Sequence, residues 1–442
     1  MERKKILLVS LDSLGESDVK YLENLPNFSK IMKQGAWCPH ECSVYPSLTF
    51  PSHASIATGC VPNSHRVVNN YQFLPFEKHS KWNSYASALK RKAVWDYAAG
   101  YGKRVLSLSW PVSGGAKMAY SMPELSPAKP KEWNVRTFFS QLNMMRKYGT
   151  PGFAIKTMLS RRELPKAWFY GKQPDLDQAM MHCFEHAIEK ENFDIALLHI
   201  YGLDDEKHQV GINGGRIHEY LRAYDRFVGR LMEYCDRRQM KKENVTLIVT
   251  GDHGQKDVTY AIYGNMALRD MGMATYADKE LKDYRVYMDS CDGMAYLYPR
   301  DESSAEDLEA CRKAAEYFKT VPGIKAVMCR EEFAHLGCDQ KAAYVLEAAD
   351  NYSMESGYER EADKEHDYTV VSHYKGLHGY LPDENGYRTV FFCYGKDVQA
   401  KTIDKMCITD ILPTMLKWLG IQPDSDMDGK AVDGIWKESK SE

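Results

Sequence analysis

The 442-residue sequence predicts an α/β protein with a mostly parallel central sheet, and three observations lead to this fold class. Short apolar runs alternate with longer segments of helical patterning, which is typical of a sheet covered by helices. The apolar runs lack strict alternation of apolar and polar residues, as expected for strands buried on both faces. A content of 44% hydrophobic and 27% charged residues is that of a folded globular protein and excludes a disordered chain.

Five strands and five helices are predicted for the α/β part of the chain. The strands are predicted at Ile6–Leu11, Arg104–Ser109, Phe193–Ile200, Val245–Thr250 and Thr389–Tyr394. The helices are predicted at Pro26–Lys33, Pro51–Thr58, Tyr85–Ala99, Arg216–Arg237 and Thr409–Leu419. Proline near the start and glycine just after the end mark the boundaries of the first two helices.

Two stretches interrupt this alternation and are interpreted as insertions into the core. Residues 114–173 are rich in Pro, Lys, Met and aromatic residues, and we expect them to shape the substrate pocket. Residues 255–375 contain their own predicted strand, Met294–Tyr298, and helix, Glu306–Lys319, and are expected to form a cap subdomain. The catalytic α/β core would then comprise residues 1–113, 174–254 and 376–442.

The net charge, the hydropathy pattern and the cysteine content bear on nucleic-acid binding, membrane insertion and cellular location. The net charge of −3 disfavours a protein built to coat nucleic acid, so no nucleic-acid polymer is expected as a partner. No apolar stretch approaches the ~18 residues of a transmembrane helix, and Ile6–Leu11 is too short for a signal-peptide core. The eleven cysteines include no CxxC pair. We therefore expect reduced thiols and a cytoplasmic location, while the oligomeric state stays open.

Acidic residues and histidines stand at the ends of three predicted strands and in one nearby loop. They are Asp12, Asp204, His208, Asp252, His253 and His378. Because ligands bind beyond the carboxyl ends of parallel strands, we expect these six side chains to meet at one edge of the sheet. Three carboxylates and three imidazoles suit two divalent ions, with zinc favoured, and two such ions suit phosphoryl transfer. Each residue alone also fits a helix cap or chance spacing. The alternative for Gly251 to Gly254 is a tight loop in which the two glycines supply unusual dihedral angles.

Thr49 is the candidate nucleophile. It falls immediately before a predicted helix that has Pro51 in its first turn. Free backbone N–H groups at such a helix start can receive an anion. Threonine is also an ordinary N-cap residue, and judged locally the sequence favours capping over catalysis.

The segment from Tyr45 to His53 reads Tyr-Pro-Ser-Leu-Thr-Phe-Pro-Ser-His and resembles the nucleotide pyrophosphatase/phosphodiesterase family of the alkaline phosphatase superfamily. The resemblance spans residues 4–113 and 193–432. It implies an alkaline-phosphatase-like three-layer sandwich with a mostly parallel central sheet and an inserted cap subdomain. Further matching residues are Thr58-Gly59, Pro62 through His65, Asn70, Trp95, Trp110-Pro111 and the segment from Asp410 to Gly429.

The resemblance also implies a role for each candidate site residue. Thr49 would be the nucleophile, and Asn70 would stabilise a phosphate oxygen. One divalent ion would be held by Asp12, Asp252 and His253, and the other by Asp204, His208 and His378. His373 is the rival ligand, whereas His53 and His65 are expected to tie loops together. No further cofactor is implied.

The activity implied by the resemblance is two-metal-dependent hydrolysis of phosphodiester or phosphoanhydride bonds through a phospho-threonine intermediate. The substrate would be a small phosphorylated molecule such as a nucleotide. Phosphonoacetate hydrolase activity stays open, because that enzyme also uses a threonine nucleophile and the same ligands. Phosphomonoesterase activity stays open because Arg66 could serve a monoester. Arg66, Asn69 and Ser47-Leu48 depart from the family pattern and leave the preferred leaving group open. A sulfatase would need a C/S-x-P-x-R motif, which the nucleophile segment lacks, and a phosphoglycerate mutase would use serine. A non-enzymatic nucleotide-binding protein is less favoured, because every ligand and the nucleophile are present.

Overall fold

A computed structural model of the chain describes residues 2–77, 80–124, 135–161, 172–277, 280–357 and 368–437. Part of each predicted insertion, including residues 125–134, 162–171 and 358–367, lies outside the described residues. No helix among the described residues is long and apolar enough to cross a membrane.

The strands are numbered in chain order. The core strands and their edge partners are β1 Arg3–Leu11, β2 Ala36–Cys42, β3 Val105–Leu108, β4 Tyr120–Met122, β5 Ile195–Ile200, β6 Glu243–Thr250, β17 Thr389–Tyr394, β18 Lys401–Thr402 and β19 Met406–Cys407. Between β6 and β17 come β7 Lys256–Tyr263, β8 Ala274–Ala277, β9 Glu280–Tyr284, β10 Val286–Cys291, β11 Met294–Pro299, β12 Ile324–Cys329, β13 Tyr344–Ala348, β14 Asn351–Glu355, β15 Thr369–Val371 and β16 Gly376–Leu377.

The helices are numbered in the same way. They are α1 Val19–Leu22, α2 Pro26–Gln34, α3 Thr49–Thr58, α4 Pro62–His65, α5 Val94–Gly100, α6 Val135–Tyr148, α7 Pro151–Met158, α8 Asp175–Lys190, α9 Gly202–Val210, α10 Ile217–Met240, α11 Gly264–Asp270, α12 Ala305–Phe318, α13 Arg330–Phe333 and α14 Ile411–Leu419. Short 3-10 turns lie at Glu16–Asp18, Ala86–Ala88, Ala334–Leu336 and Ile408–Asp410.

The central sheet has nine strands in the order β18-β2-β17-β6-β1-β5-β3-β4, with β19 paired to β2. The run from β6 to β4 is parallel, and β17 pairs antiparallel with both β6 and β2. The register aligns Ser10 of β1 with Thr250 of β6 and His199 of β5. Since parallel strands end at the same edge, the segments that follow β1, β5 and β6 emerge side by side.

Two hydrophobic clusters cover the opposite faces of this sheet and make a three-layer sandwich. Leu7 and Val9 of β1 pack in one cluster with residues of α2, α8 and α10. Ile6 and Leu8 of the same strand pack in the other cluster with residues of α3, α5 and α14. Side chains alternate between the faces along β1, so both faces are apolar and buried. The predicted α/β sandwich with a mostly parallel central sheet is thereby confirmed.

The stretch between β6 and β17 builds separate sheets. Strands β10, β11, β13 and β12 form a four-stranded antiparallel sheet against which α12 packs. Strands β14, β7, β15 and β16 form a mixed sheet, in which β14 runs parallel to β7 while β15 and β16 run antiparallel to it. These strands pair with none of the described strands of the central sheet. The assignment of residues 255–375 as a cap subdomain stays a prediction.

One predicted helix is much shorter in the structure. The prediction was Tyr85–Ala99, whereas α5 starts at Val94 and is preceded by a short 3-10 turn. Asp96 accepts a hydrogen bond from the backbone N–H of Ala93 (2.9 Å), which fixes the start of the helix there. The side chains of Arg91 and Lys92 pair with acidic residues of the C-terminal segment instead of continuing the helix.

Candidate active site

The six predicted metal ligands form two groups of three. Asp12 follows β1, and Asp252 and His253 follow β6; their nearest ligand atoms lie within 4.8 Å of one another. Asp252 and His253 are completely buried. The register of β1 with β6 brings Asp12 and Asp252 to neighbouring positions at the sheet edge. We call these three residues the first metal group.

Asp204, His208 and His378 form the second metal group, again with ligand atoms within 4.8 Å. Asp204 and His208 lie one turn apart on α9, which places both on one face of that helix. His378 reaches the same edge because it directly follows β16, whose Leu377 pairs with Lys256 at the start of β7, three residues after His253. The ring centroids of His378 and His253 are 4.0 Å apart, so the two groups adjoin. His373 belongs to neither group.

Backbone carbonyls orient two of the imidazole rings. His253 donates from Nδ1 to Gly254 O (3.2 Å), and His208 donates from Nδ1 to Gly376 O (2.8 Å). In both residues Nε2 therefore points into the group, as metal-binding histidines require. Burial lowers the pKa of His253 to about 3, which keeps its imidazole neutral and its lone pair available.

The carboxylates of the first group fit a divalent cation. Asp12 Oδ1 and Asp252 Oδ2 are buried and find no hydrogen-bond partner among the described residues. Burial and the Asp204 carboxylate raise the pKa of Asp12 well above its usual range, and burial and Asp12 do the same to Asp252. Two buried carboxylates facing each other need a compensating positive charge. A divalent ion held by Asp12, Asp252 and His253 would supply it.

In the second group a proton shared by Asp204 and His208 compensates the charge. Burial opposes ionisation of both side chains. The opposite charge of the other side chain and the hydrogen bond between the two outweigh that effect. The pKa of His208 rises to about 10, and the pKa of Asp204 falls to about 2. His208 Nε2 lies 3.0 Å from Asp204 Oδ2, and His378 Nε2 lies 3.9 Å from Asp204 Oδ1. The donor set of one carboxylate and two imidazoles suits zinc in place of that proton.

Thr49 does not cap a helix, contrary to what its local sequence favours. It is the first residue of α3, and the N-cap is Leu48 with no side-chain hydrogen bond. The Thr49 hydroxyl lies 3.2 Å from His253 Nε2, beside the first metal group. His53, one turn along α3, donates from Nδ1 to Thr49 O (2.7 Å) and accepts from Ser10 (2.9 Å). This confirms the predicted structural role of His53 and anchors the backbone under Thr49.

Asn70 is held next to Thr49 by the start of the same helix. Its Oδ1 accepts a hydrogen bond from the backbone N–H of Phe50 (2.9 Å). That bond fixes the orientation of the side-chain amide and leaves Nδ2 as its donor group. The structure thus brings the predicted nucleophile, the predicted oxygen-stabilising side chain and both metal groups to one place.

His199 is a site residue that sequence reasoning missed. From β5 it donates through Nε2 to Asp12 Oδ2 (3.0 Å) and through Nδ1 to Glu124 (2.9 Å). Because both partners are carboxylates, both ring nitrogens act as donors. His199 therefore holds Asp12 by one oxygen and leaves the other facing the metal group. The available signal was a histidine inside an otherwise apolar strand.

Lys207 is a second missed residue, and it links the segments that carry the two metal groups. It lies on α9 between Asp204 and His208 and is completely buried. Its ammonium donates to Ser13 O (2.7 Å) and to Asp18 (2.8 Å) in the turn that follows Asp12. The sequence signal for Lys207 was its position one helical turn after Leu203, which places both residues on the same face of α9.

Lys207→Met is expected to lower the free energy of unfolding by about 3 kcal/mol, because it leaves the Asp18 carboxylate buried without its partner. Adding Asp18→Asn should recover part of that loss. Urea denaturation of the purified variants measures both values. Lys417→Met, which removes an exposed ion pair with Asp433, is the control and should cost less than about 0.5 kcal/mol. Equal effects of the two lysine changes would contradict the linking role of Lys207.

The two glycines around Asp252 and His253 serve close packing. Neither glycine has a positive φ, so the alternative that they supply unusual dihedral angles of that kind does not hold. A Cβ on Gly251 would collide with the backbone oxygen of Leu14, and one on Gly254 with that of Tyr387. Glycine lets the strand-end loop approach both backbones, which keeps the first metal group in place.

Comparison with known proteins agrees with this geometry. Residues 6–380 match the family described as type I phosphodiesterase / nucleotide pyrophosphatase. The chain is 26% identical to venom phosphodiesterase 2 of Crotalus adamanteus over 267 residues, covering 58% of this chain and 28% of the venom protein. It is also 26% identical to a bis(5'-adenosyl)-triphosphatase of Xenopus laevis, covering 57% of this chain and 47% of that protein. The chain thus spans from about a quarter to about half the length of these relatives.

Solved structures show the same fold. Murine ectonucleotide pyrophosphatase / phosphodiesterase 5 superimposes with a TM-score of 0.61 at 20% identity, covering 95% of this chain and 96% of the murine chain. An inactive variant of that murine protein has been solved in complex with AMP. The family match covers most of the sequence and includes every predicted ligand. The chain therefore belongs to the type I phosphodiesterase / nucleotide pyrophosphatase family.

Proposed function

We propose that this chain hydrolyses phosphodiester or phosphoanhydride bonds with two divalent metal ions, through a phospho-threonine intermediate on Thr49. The proposal rests on one observation above all, the 3.2 Å approach of the Thr49 hydroxyl to His253 Nε2 in the first metal group. A half-buried hydroxyl that does not cap its helix but adjoins a metal group is suited to nucleophilic attack.

Divalent ions held by the two groups would lower the pKa of the Thr49 hydroxyl and stabilise charge on the attacking and leaving oxygens. After loss of its proton, the Thr49 oxygen bonds to phosphorus as the bond to the leaving group breaks. Water then cleaves the phospho-threonine and regenerates the hydroxyl. Asn70 Nδ2 donates to a non-bridging oxygen in both steps, where negative charge redistributes.

The substrate that we propose is a nucleotide or a similar small phosphodiester. The AMP complex of the murine protein and the name of the Xenopus laevis relative support a nucleotide. Zinc is the proposed metal, because imidazole nitrogens and carboxylate oxygens in sets of three are zinc donors.

The contacts of the Arg66 side chain support diesters as substrates over the two alternatives, phosphonoacetate and phosphomonoesters. Both alternatives carry an additional anionic group that a nearby cation would need to meet. Arg66 is the first arginine or lysine that follows the nucleophile segment, and its guanidinium pairs with Asp339 (2.9 Å) and with Asn63 Oδ1 (2.9 Å). It is therefore committed to other partners.

We expect kcat/KM for a nitrophenyl nucleotide diester to exceed that for nitrophenyl phosphate by at least about tenfold, or ~1.4 kcal/mol. A hydrolysis panel on zinc-loaded protein, with phosphonoacetate as a third substrate, measures this ratio. Arg66→Ala is the matched variant and should leave the ratio unchanged. A monoester preference that disappears in Arg66→Ala would show that Arg66 serves the site and would overturn the diester proposal.

A further inference from the structure

Cys42 and Cys407 lie opposite each other on neighbouring strands. Cys42 ends β2 and Cys407 ends β19, and the two are register partners in a parallel pairing. Register partners of adjacent parallel strands point to the same face, with strands about 4.8 Å apart. Disulfides form between Cα atoms about 4.4–6.8 Å apart. The pairing thus holds the Cα atoms of the two cysteines at a separation that a disulfide can bridge.

These two thiols are also among the most accessible in the protein. Eight of the eleven cysteines are buried, and the three half-buried ones are Cys42, Cys329 and Cys407. A reagent in solution therefore reaches the Cys42–Cys407 pair before the core cysteines.

The surroundings favour the reactive form of Cys42. The hydrogen bond with the Cys407 thiol lowers the pKa of Cys42 against the opposing effects of burial and of the Asp383 carboxylate, and Lys405 and Arg388 add to the lowering. The pKa of Cys407 is raised in return by Cys42 and by burial. Because the thiolate is the attacking species, Cys42 is the one of the pair that would react first.

We propose that Cys42 and Cys407 are a modification site that closes to an intrachain disulfide when the protein meets a small-molecule disulfide such as oxidised glutathione. The Cys42 thiolate attacks one sulfur, forms a mixed disulfide and releases one glutathione thiolate. The Cys407 thiolate then attacks the Cys42 sulfur and releases the second glutathione. Two protein thiols are oxidised and the reagent is reduced to two thiols, with their protons taken up by the released glutathione.

This cross-link concerns stability and is independent of the proposed hydrolysis. It joins the strand before the nucleophile segment to the strand before α14, closing a loop that contains most of the chain. Large closed loops restrict the unfolded ensemble most, so the oxidised form should be more stable. The cytoplasmic location stays a prediction. In such a reducing compartment Cys42 and Cys407 would both stay reduced thiols.

The test treats the full chain with oxidised glutathione and compares it with Cys42→Ser, Cys407→Ser and the control Cys329→Ser. Free thiols are counted after denaturation, and peptide mapping by mass spectrometry locates any cross-link. Wild type and Cys329→Ser should lose the Cys42 and Cys407 thiols, yield one peptide joining them, and gain a few degrees in Tm that dithiothreitol reverses. Cys407→Ser should carry one glutathione on Cys42 and gain no Tm.

Two outcomes would overturn the proposal. One is wild-type protein that keeps both thiols or carries two separate glutathione adducts. The other is an unchanged cross-link and Tm gain in Cys407→Ser, which would assign the bond to other cysteines. If a serine variant fails to fold, the peptide map of the wild-type protein decides by itself, because it identifies the joined residues directly.

Discussion

Thr49→Ala is expected to lower kcat by at least about 10³-fold, or ~4 kcal/mol, because it removes the oxygen that we propose attacks phosphorus. The 3.2 Å contact of that oxygen with His253 places it beside the first metal group. Since Thr49 does not cap α3, the same change should cost less than about 1 kcal/mol in stability. Steady-state hydrolysis of a nitrophenyl nucleotide diester and urea denaturation measure the two effects.

Thr49→Ser is the matched control for this prediction. It keeps a hydroxyl and should retain part of the activity, with the nucleotidyl group of the diester trapped on the serine in acid-quenched samples. An alanine variant that binds its metals and turns over at a near wild-type rate would end the covalent mechanism. Such a result would leave hydrolysis by direct attack of water.

His378→Ala and Asp252→Ala are each expected to lose one of two bound divalent ions and to lose at least about 10²-fold in kcat/KM. Each removes a ligand from a different group, so the two variants should lose different ions. Asp252→Ala also removes the acceptor of the Ser13 N–H (3.0 Å), which loosens the turn after Asp12. Metal analysis of dialysed, zinc-loaded protein gives the ion count per chain.

His373→Ala is the control for the metal prediction, because His373 is close in sequence to His378 but belongs to neither group. It should keep two ions and full activity. Unchanged occupancy in both ligand variants would contradict the ligand assignment. Loss of an ion in His373→Ala would show that the rival ligand is the true one.

Much of the fold and the composition of the site followed from local patterns in the sequence. The sequence predicts strand β17 at Thr389–Tyr394, and the structure has it there. A short continuous apolar run bounded by polar residues is typical of a strand that is buried on both faces. The region before α5 was harder to predict. There the backbone of the predicted helix Tyr85–Ala99 bonds to distant segments instead, since Ala86 N–H donates to Gly114 O (3.0 Å) and Lys90 N–H donates to His65 O (3.1 Å).

The sequence by itself determined which side chains gather at the site, because parallel strands end at a common edge and Asp12, Asp204 and Asp252 follow strand ends. Only the tertiary structure decided what holds and surrounds those side chains. His199 reaches Asp12 across 187 positions of sequence, and Lys207 reaches Asp18 across 189. Periodicity and motifs report on neighbours along a helix or strand, whereas these contacts depend on how separate elements pack. The tertiary fold therefore decided that Thr49 faces a metal group and that Arg66 is drawn away to Asp339.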